Sequence, residues 1–353
     1  MIRKSQSFGV ANGKEFPCWE NDSSEFCAQI ERHHAPVKIV LKTKNDRFLI
    51  ERWIRHHSRI VGLENLIIFD NMSDDHEVLS VYREYRDWTG IVTFAGHQNN
   101  LHHTGLCRDL YRALAKSSEY FLFLDTDEFL VLIENDKYYD DDGILAFVRG
   151  NRNFDLFPGT WLWNANWTER QFNCNGLAEN MACGKPLIRT SKIPTGYVNH
   201  NFQLSTRLFA PPFKTNLFLL HLRRLFPEQR ILTNMNKLTT AGIARPGESP
   251  ESTAGRNDIA DELMVGYVNE IRECLASLKE RADLGNAPLA ANCLELSSGG
   301  NIAYYGASER TALNDFIGDP TQAYDSLPRR YRLDRVGGAN VDAAAYSLGR
   351  LYI

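Results

Sequence analysis

The feature that most constrains this chain is an apolar run that ends in carboxylates: Tyr120-Phe-Leu-Phe-Leu is followed by Asp125, Thr126, Asp127 and Glu128. A short, bulky, unbroken apolar segment is typical of a strand buried on both faces of a parallel sheet. Open α/β sheets bind ligands at the carboxyl ends of such strands. The D-x-D pattern alone is common and also fits a polar strand exit or a helix N-cap.

The setting of these aspartates favours a metal site. Two carboxylates one residue apart are costly to ionise together unless a cation lies beside them. A hard divalent ion held by one or two carboxylates keeps coordination positions open, and diphosphate oxygens commonly fill them. We therefore predict a site for a divalent metal and a diphosphate at Asp125 and Asp127.

The segments before this run alternate between strand and helix signals. Strands are predicted at residues 36–42, 66–70 and 91–94, and helices follow each of them, with Ser73 as the predicted N-cap of the second helix and residues 104–118 forming the third. Such alternation implies parallel strands joined by right-handed crossovers. The predicted fold class is α/β, with a mostly parallel central sheet flanked by helices.

Composition sets further bounds. The chain has 353 residues, of which 43% are apolar and 24% are charged, as in a folded protein. A net charge of -4 argues against a nucleic-acid binder, which normally has a basic excess. We find no secretory signal, no apolar stretch of membrane-spanning length, and seven scattered cysteines without a C-x-x-C pair. These observations predict a reducing, cytoplasmic location.

Several ordered motifs in residues 36–133 carry a resemblance to a known family. They are Lys44-Asn45 followed by Trp53 and His56-His57, then I-F-D-N-x-S-D-D over 68–75, L-C-R over 106–108 and F-L-D-T-D-E-F over 123–129. In this order they resemble the nucleotide-sugar half of GT-A glycosyltransferases, closest to the family 2 and family 92 group. The match is looser at Trp161-Leu-Trp-Asn, at residues 185–189 and at His221. The resemblance implies a GT-A, Rossmann-like fold.

The resemblance also implies roles for individual residues. Nucleotide-sugar binding falls to Thr43, Asn45, Asp70, Arg108, Asp125 and Thr126. Ligation of Mn²⁺ or Mg²⁺ falls to Asp125, Asp127 and His221. Three of these have a plainer alternative: Asp70 as a helix cap, Arg108 as a solvated side chain and His221 as a structural histidine.

The acceptor side is expected in residues 134–240. Trp161 and Trp163 are candidates for acceptor binding, because aromatic faces suit sugar rings, although core packing explains them equally well. An inverting transferase needs a carboxylate to deprotonate the acceptor hydroxyl, and Glu228 and Glu169 are the candidate bases.

The last third is predicted to be mainly helical. Residues 245–255 read as a linker, and residues 258–283 as an amphipathic helix. The predicted organisation is an N-terminal extension over 1–35, a catalytic domain over 36–240 with halves at 36–133 and 134–240, and a C-terminal region over 241–353. Arg329, Arg330 and Arg332 form a basic cluster for which a peripheral membrane contact or simple solvation is predicted.

Together these patterns predict a metal-dependent glycosyltransferase. It would move a sugar from a nucleotide-diphosphate donor, a UDP-sugar by resemblance, to a glycan or lipid-linked acceptor hydroxyl, with inversion. One alternative is a non-catalytic, transferase-like glycan-binding module. Another is a sugar nucleotidyltransferase, which is disfavoured because residues 41–48 contain no glycine to cradle a triphosphate.

Overall fold

The computed structural model describes residues 15–96, 98–165, 169–174, 176–201, 213–223, 225–279, 293–305, 307–320 and 323. The basic cluster Arg329, Arg330 and Arg332 and the end of the helix predicted to reach Asp283 lie outside these residues. None of the described helices is both long enough and apolar enough to cross a membrane.

A parallel four-stranded block forms the first half of the sheet, in the spatial order β3-β2-β1-β4. Its elements follow the chain as α1 (Trp19–Arg32), β1 (Ala35–Thr43), α2 (Ile50–Val61), β2 (Leu66–Asp70), α3 (His76–Tyr85), β3 (Gly90–Thr93), α4 (Arg108–Ser117) and β4 (Ser118–Leu124). Strand β1 is central, with Thr43 paired to Asp70 on β2 and Leu41 paired to Leu124 on β4. The carboxyl ends of these strands therefore meet at one edge.

The second half of the sheet is mixed and mainly antiparallel. It comprises β5 (Glu128–Glu134), β6 (Lys137–Tyr139), α5 (Gly143–Gly150), β7 (Leu156–Asn164), β8 (Gln171–Asn173), α6 (Leu177–Cys183), β9 (Lys185–Arg189) and β10 (Leu217–His221). Strand β9 runs antiparallel to both β4 and β7 and so joins the two halves. Strand β10 lies between β5 and β7 and brings His221 opposite Glu128.

The C-terminal elements add a helical layer and a hairpin. They are α7 (Pro227–Thr240), α8 (Pro250–Ala254), α9 (Glu262–Lys279), β11 (Cys293–Leu296), β12 (Ile302–Tyr305) and α10 (Ala307–Gly318). Helices α7 and α9 share a small hydrophobic cluster that is separate from the main core and includes Leu238 and Ile271. Strand β11 pairs with β8, so the hairpin extends the sheet.

The predicted α/β fold with a mostly parallel central sheet flanked by helices is confirmed. The described part of the C-terminal region contains helices, as predicted, and also the β11–β12 hairpin, which was not predicted. Two local predictions were wrong. Asp75, not Ser73, caps α3, because its carboxylate accepts the amides of Glu77 and Val78. The predicted linker contains α8, which Ser249 caps through the amide of Ser252. The domain boundaries stay predictions.

Candidate functional site

The loop after β4 is shaped by a carboxylate that sequence reasoning did not assign to the site. Glu128 is fully buried, and one of its oxygens accepts the backbone amide of Asp125 at 2.8 Å. The other oxygen accepts the indole N–H of Trp161 at 2.7 Å. These bonds fix the turn that holds Asp125 and Asp127, so we call the three carboxylates Asp125, Asp127 and Glu128 the acidic corner.

A fully buried lysine balances part of this charge. Lys185, the first residue of β9, places its Nζ 2.8 Å from Oδ2 of Asp125, 2.8 Å from Oδ1 of Asn199 and 3.7 Å from Oε2 of Glu128. Burial alone would lower the pKa of Lys185, but Asp125 and Glu128 outweigh it and raise that pKa. The lysine is therefore a fixed positive charge under the corner.

The pKa values of Asp125 and Glu128 are shifted in opposite directions by their surroundings. Burial would raise the pKa of Asp125, but Lys185 and Lys42 hold it well below its usual range. Burial raises the pKa of Glu128 to about 8, with Asp125 and Asp127 acting in the same direction and Lys185 opposing. Asp125 is thus the ionised partner of the lysine, with 39% of its side chain exposed.

Asp127 faces residues that come from β10 and α7. Its Oδ2 lies 3.3 Å from Nε2 of His221 and 3.7 Å from the guanidinium of Arg230. Burial would raise the pKa of Asp127, but His221 and Arg230 outweigh it and hold that pKa below its usual range. The predicted pair Asp127 and His221 is therefore brought together, although 94 residues separate them in the chain.

Two further lysines carry charge toward the corner. Burial lowers the pKa of Lys42 to about 8, and Asp125 opposes that shift. Burial also lowers the pKa of Lys237, which lies 4.6 Å from the ring centre of Tyr267 and is influenced by both Asp125 and Asp127. With Arg230, these side chains add positive charge around the corner, which favours an anionic ligand.

Thr43 and Thr126 lie at the floor of the same edge, where the Thr126 hydroxyl donates to that of Thr43 at 3.0 Å. Beside them, burial and the charge of Asp127 raise the pKa of Asp46 to about 7. Oδ1 of Asp46 is buried and has no hydrogen-bond partner within the described residues. This unsatisfied oxygen adds to the cost of ionising Asp46.

Asn45 and Asp70 organise the loop between β2 and α3. Asn45 has a positive φ of 51°, and its side chain donates to Asp74 and accepts the amides of Asp74 and Asp75. Asp70 is fully buried and accepts from the amide and hydroxyl of Ser73 and from the hydroxyl of Tyr82. Arg108 lies apart, exposed in the first turn of α4.

The aromatic candidates Trp161 and Trp163 are neighbours but contact different residues. The ring of Trp161 packs between His221, at 4.7 Å, and His200, at 5.6 Å, and so lines the corner. Trp163 lies 6.4 Å from Trp161 between ring centres, and the guanidinium of Arg223 stacks over it.

The structure places the candidate base Glu169 away from the corner and the candidate base Glu228 on a different side of α7 from Arg230. Glu169 forms a bidentate ion pair with Arg52 and lines a different cavity. Glu228 is in the first turn of α7, two residues before Arg230, which places them about 200° apart around the helix axis.

The corner offers few ligands to a divalent ion. Within the described residues, no group of three or more His, Cys, Asp or Glu side chains could hold a metal. Asp127 and His221 are nevertheless close enough to bind one ion together. This pair could supply two ligands to Mn²⁺ or Mg²⁺, and oxygens of water or of a bound ligand would occupy the remaining positions.

Several residues of the site were missed at the level of sequence, notably Lys42, Lys185, Arg230 and Lys237. One signal existed for Lys185: it follows Gly184 at the start of an apolar strand. A Cβ at Gly184 would lie only 1.9 Å from the carbonyl oxygen of Gly159, so only glycine allows β7 and β9 to approach this closely. That approach carries Lys185 beneath the corner.

Comparisons with known proteins give structural neighbours only. No protein-family model matches the chain, and no curated protein sequence matches it significantly. Solved structures similar to it include S. aureus TarS 1-349 (11% identity, TM-score 0.32, covering 89% of this chain and 87% of that one).

Two further neighbours are described as a mannosyltransferase and a synthase. One is the mannosyltransferase PcManGT from Pyrobaculum calidifontis in complex with GDP-Man and Mn²⁺ (12% identity, TM-score 0.37, covering 91% and 88% of the two chains). The other is glucosyl-3-phosphoglycerate synthase from Mycobacterium tuberculosis (16% identity, TM-score 0.33, covering 67% and 88%). Because these TM-scores are below 0.5, the neighbours carry no argument about function, which rests on the geometry of the site.

Proposed function

We propose that this protein is a glycosyltransferase that uses a nucleotide-diphosphate sugar together with Mn²⁺ or Mg²⁺. The observation that carries the proposal is the acidic corner at the carboxyl ends of parallel strands, where Asp127 and His221 lie 3.3 Å apart and Arg230 lies within 4 Å of the same carboxylate. A leaving nucleoside diphosphate gains negative charge as the glycosidic bond breaks. Fixed cations stabilise that charge where it develops.

The residues in and around the acidic corner have different roles in this proposal. Asp127 and His221 would hold the ion, which supplies Lewis-acid stabilisation of the diphosphate. Arg230, Lys42 and Lys237 would bind phosphate oxygens from the opposite side. Thr43, Asp46 and Thr126 would face the nucleoside at the sheet edge, and Trp161 would present its ring to a sugar. We propose a UDP-sugar as donor and a glycan or lipid-linked hydroxyl as acceptor.

The test is calorimetric titration of the protein with UDP, with and without Mn²⁺. We expect binding that depends on Mn²⁺ and that weakens roughly tenfold or more in Asp127→Asn, because one charged ligand is lost. Asp109→Asn is the matched control, since Asp109 is an exposed aspartate on α4 and should not affect binding. UDP binding that needs neither the ion nor the Asp127 carboxylate would overturn the proposal.

Turnover separates an enzyme from a glycan-binding module of the same fold. A transferase releases UDP slowly from a UDP-sugar by hydrolysis even without acceptor, whereas a binding module does not. We expect Mn²⁺-dependent UDP release by the wild-type protein, with at least about a hundredfold loss in Asp127→Asn, of the order produced by removing one transition-state charge contact.

A further inference from the structure

A second cavity lies on the other face of the strands that carry the acidic corner. It has a volume of about 480 Å³ and is bounded by α2, β5, β10 and the β11–β12 loop. Five apolar side chains line it: Phe129, Val131, Leu220, Leu222 and Leu296. Its volume is within the range of small-molecule sites, roughly 300–1,000 Å³.

The alternation of side chains along β5 and β10 separates this cavity from the corner. Glu128 and His221 are paired across the two strands and face the corner, whereas the neighbouring pair Phe129 and Leu220 lines the cavity. Successive strand residues point to opposite faces of a sheet, so the paired strands β5 and β10 contribute side chains to both sites. His56 forms part of the wall, and its Nε2 donates to the carbonyl of Leu130 at 2.8 Å.

The rim of the cavity is rich in guanidinium groups. Among the described residues, four arginines line it, Arg52, Arg55, Arg59 and Arg170, together with two carboxylates, Asp140 and Glu169. Arg52 pairs with Glu169, and Arg59 with Asp140 at 2.7 Å. Roughly half of the Arg52 and Arg59 side chains is exposed, at 47% and 56%. Ion pairs this exposed are weak, and an incoming anion can take over their donors.

We propose that this cavity binds a small amphipathic anion, that is, an apolar chain or ring bearing one phosphate or carboxylate group. The apolar part would lie on Phe129, Val131 and Leu220, and the anionic group would bind the forked donors of Arg52 and Arg59. The apolar floor disfavours a highly charged nucleotide, because charged groups are costly to bury without partners. This site is independent of the proposed transferase activity.

The test uses n-octyl phosphate as the probe in calorimetric titration of the full chain. We expect n-octyl phosphate to bind at least tenfold more tightly than inorganic phosphate, which lacks the apolar part, or octyl glucoside, which lacks the charge. Ser298 is an exposed residue that lines the cavity, so Ser298→Trp should fill it and abolish binding. Ser80→Trp, at an exposed position on α3, is the control and should bind normally.

Variants that remove arginine charges test whether the rim binds the anionic group. The double variant Arg52→Gln/Arg59→Gln should weaken n-octyl phosphate binding roughly tenfold or more, since two charged donors are lost. The control Arg83→Gln/Arg112→Gln removes two exposed helical arginines that are also ion-paired, and should have no effect. Asp127→Asn should leave this binding unchanged.

Three results would overturn the proposal. One is equal binding of inorganic phosphate or octyl glucoside, and another is normal binding by Ser298→Trp. The third is loss of n-octyl phosphate binding in Asp127→Asn, which would place the probe in the acidic corner instead.

Discussion

A single buried cation determines how the acidic corner is built. Lys185 has no exposed surface, and its Nζ contacts Asp125, Asn199 and Glu128. Removing one partner of a buried ion pair leaves the other charge uncompensated, which is far more costly than losing an exposed pair. The stability of the corner therefore depends on this residue more than on any surface contact.

We predict that Lys185→Met lowers the free energy of unfolding by about 3–5 kcal/mol, because the ionised Asp125 loses its buried counter-charge. The measurement is urea denaturation followed by circular dichroism at pH 7.5. Adding Asp125→Asn to the variant should recover part of the loss, since the ionised carboxylate that lost its counter-charge becomes neutral.

The matched control for this prediction is Lys192→Met. Lys192 also pairs with an aspartate, Asp155, but more than half of its side chain is exposed. Its replacement should change the free energy of unfolding by no more than about 0.5 kcal/mol. Equal losses in the two variants would mean that Lys185 does not act as a buried counter-ion.

At the scale of elements, two adjacent histidines attach helix α2 to strand β5. His56 Nε2 donates to the carbonyl of Leu130, while the amide of Leu130 donates to His57 Nε2 at 3.2 Å. His57 Nδ1 must then carry the proton that it donates to the carbonyl of Trp53 at 2.9 Å. Strand β5 begins at Glu128, so this contact also positions the strand that lines both the acidic corner and the second cavity.

This arrangement requires a neutral His57. Burial, with the charge of His56, holds the pKa of His57 well below its usual value. The unfolded chain, with a histidine pKa near roughly 6.5, binds the proton first as the pH falls. The contribution of His57 to stability is therefore fully present above about pH 6.5 and is lost progressively below it.

We predict that the difference in unfolding free energy between the wild type and His57→Phe shrinks between pH 7.5 and pH 5.5. The size is up to about 1.4 kcal/mol per pH unit below roughly pH 6.5. Urea denaturation at several pH values measures it. His76→Phe is the control, because His76 is 89% exposed and its difference from wild type should stay constant. A His57→Phe difference that is constant or grows on acidification would contradict this assignment.

At the scale of the whole molecule, the described residues form two hydrophobic clusters of unequal size. The main core runs through both halves of the sheet and includes Cys27 of α1. The smaller cluster joins α7 to α9 and includes Cys274. Arg230 belongs to α7, so the smaller cluster positions a cation at Asp127.

We predict that the smaller cluster opens before the main core. Burial raises the pKa of Cys274 to about 11 and that of Cys27 to about 12, and their exposed fractions are nearly equal, at 5% and 6%. In moderate urea, Cys274 should react with a thiol reagent at least roughly tenfold faster than Cys27, because a small unit opens at lower free energy. Pulsed labelling with peptide mass spectrometry measures both sites. Equal rates at all urea concentrations would show a single cooperative unit.

The sequence determined the parallel block and the location of the site. Apolar strands such as residues 120–124 and the helices between them have strong local periodicity, because each must bury one face. The position of Asp125 and Asp127 at a strand end followed from the same pattern. Exceptions were local: α1 was not predicted, and the cap of α3 differed, because Ser73 is already bound to Asp70 and Asn45.

Only the tertiary structure decided which residues complete the acidic corner. Lys185, His221 and Arg230 reach it from β9, β10 and α7, and their contacts cross long stretches of sequence. A charged residue at such a position has no periodic signal in the sequence, because its burial depends on a partner that is distant in the chain. For the same reason Glu169 was a reasonable candidate by residue type, yet the folded chain pairs it with Arg52 at another cavity.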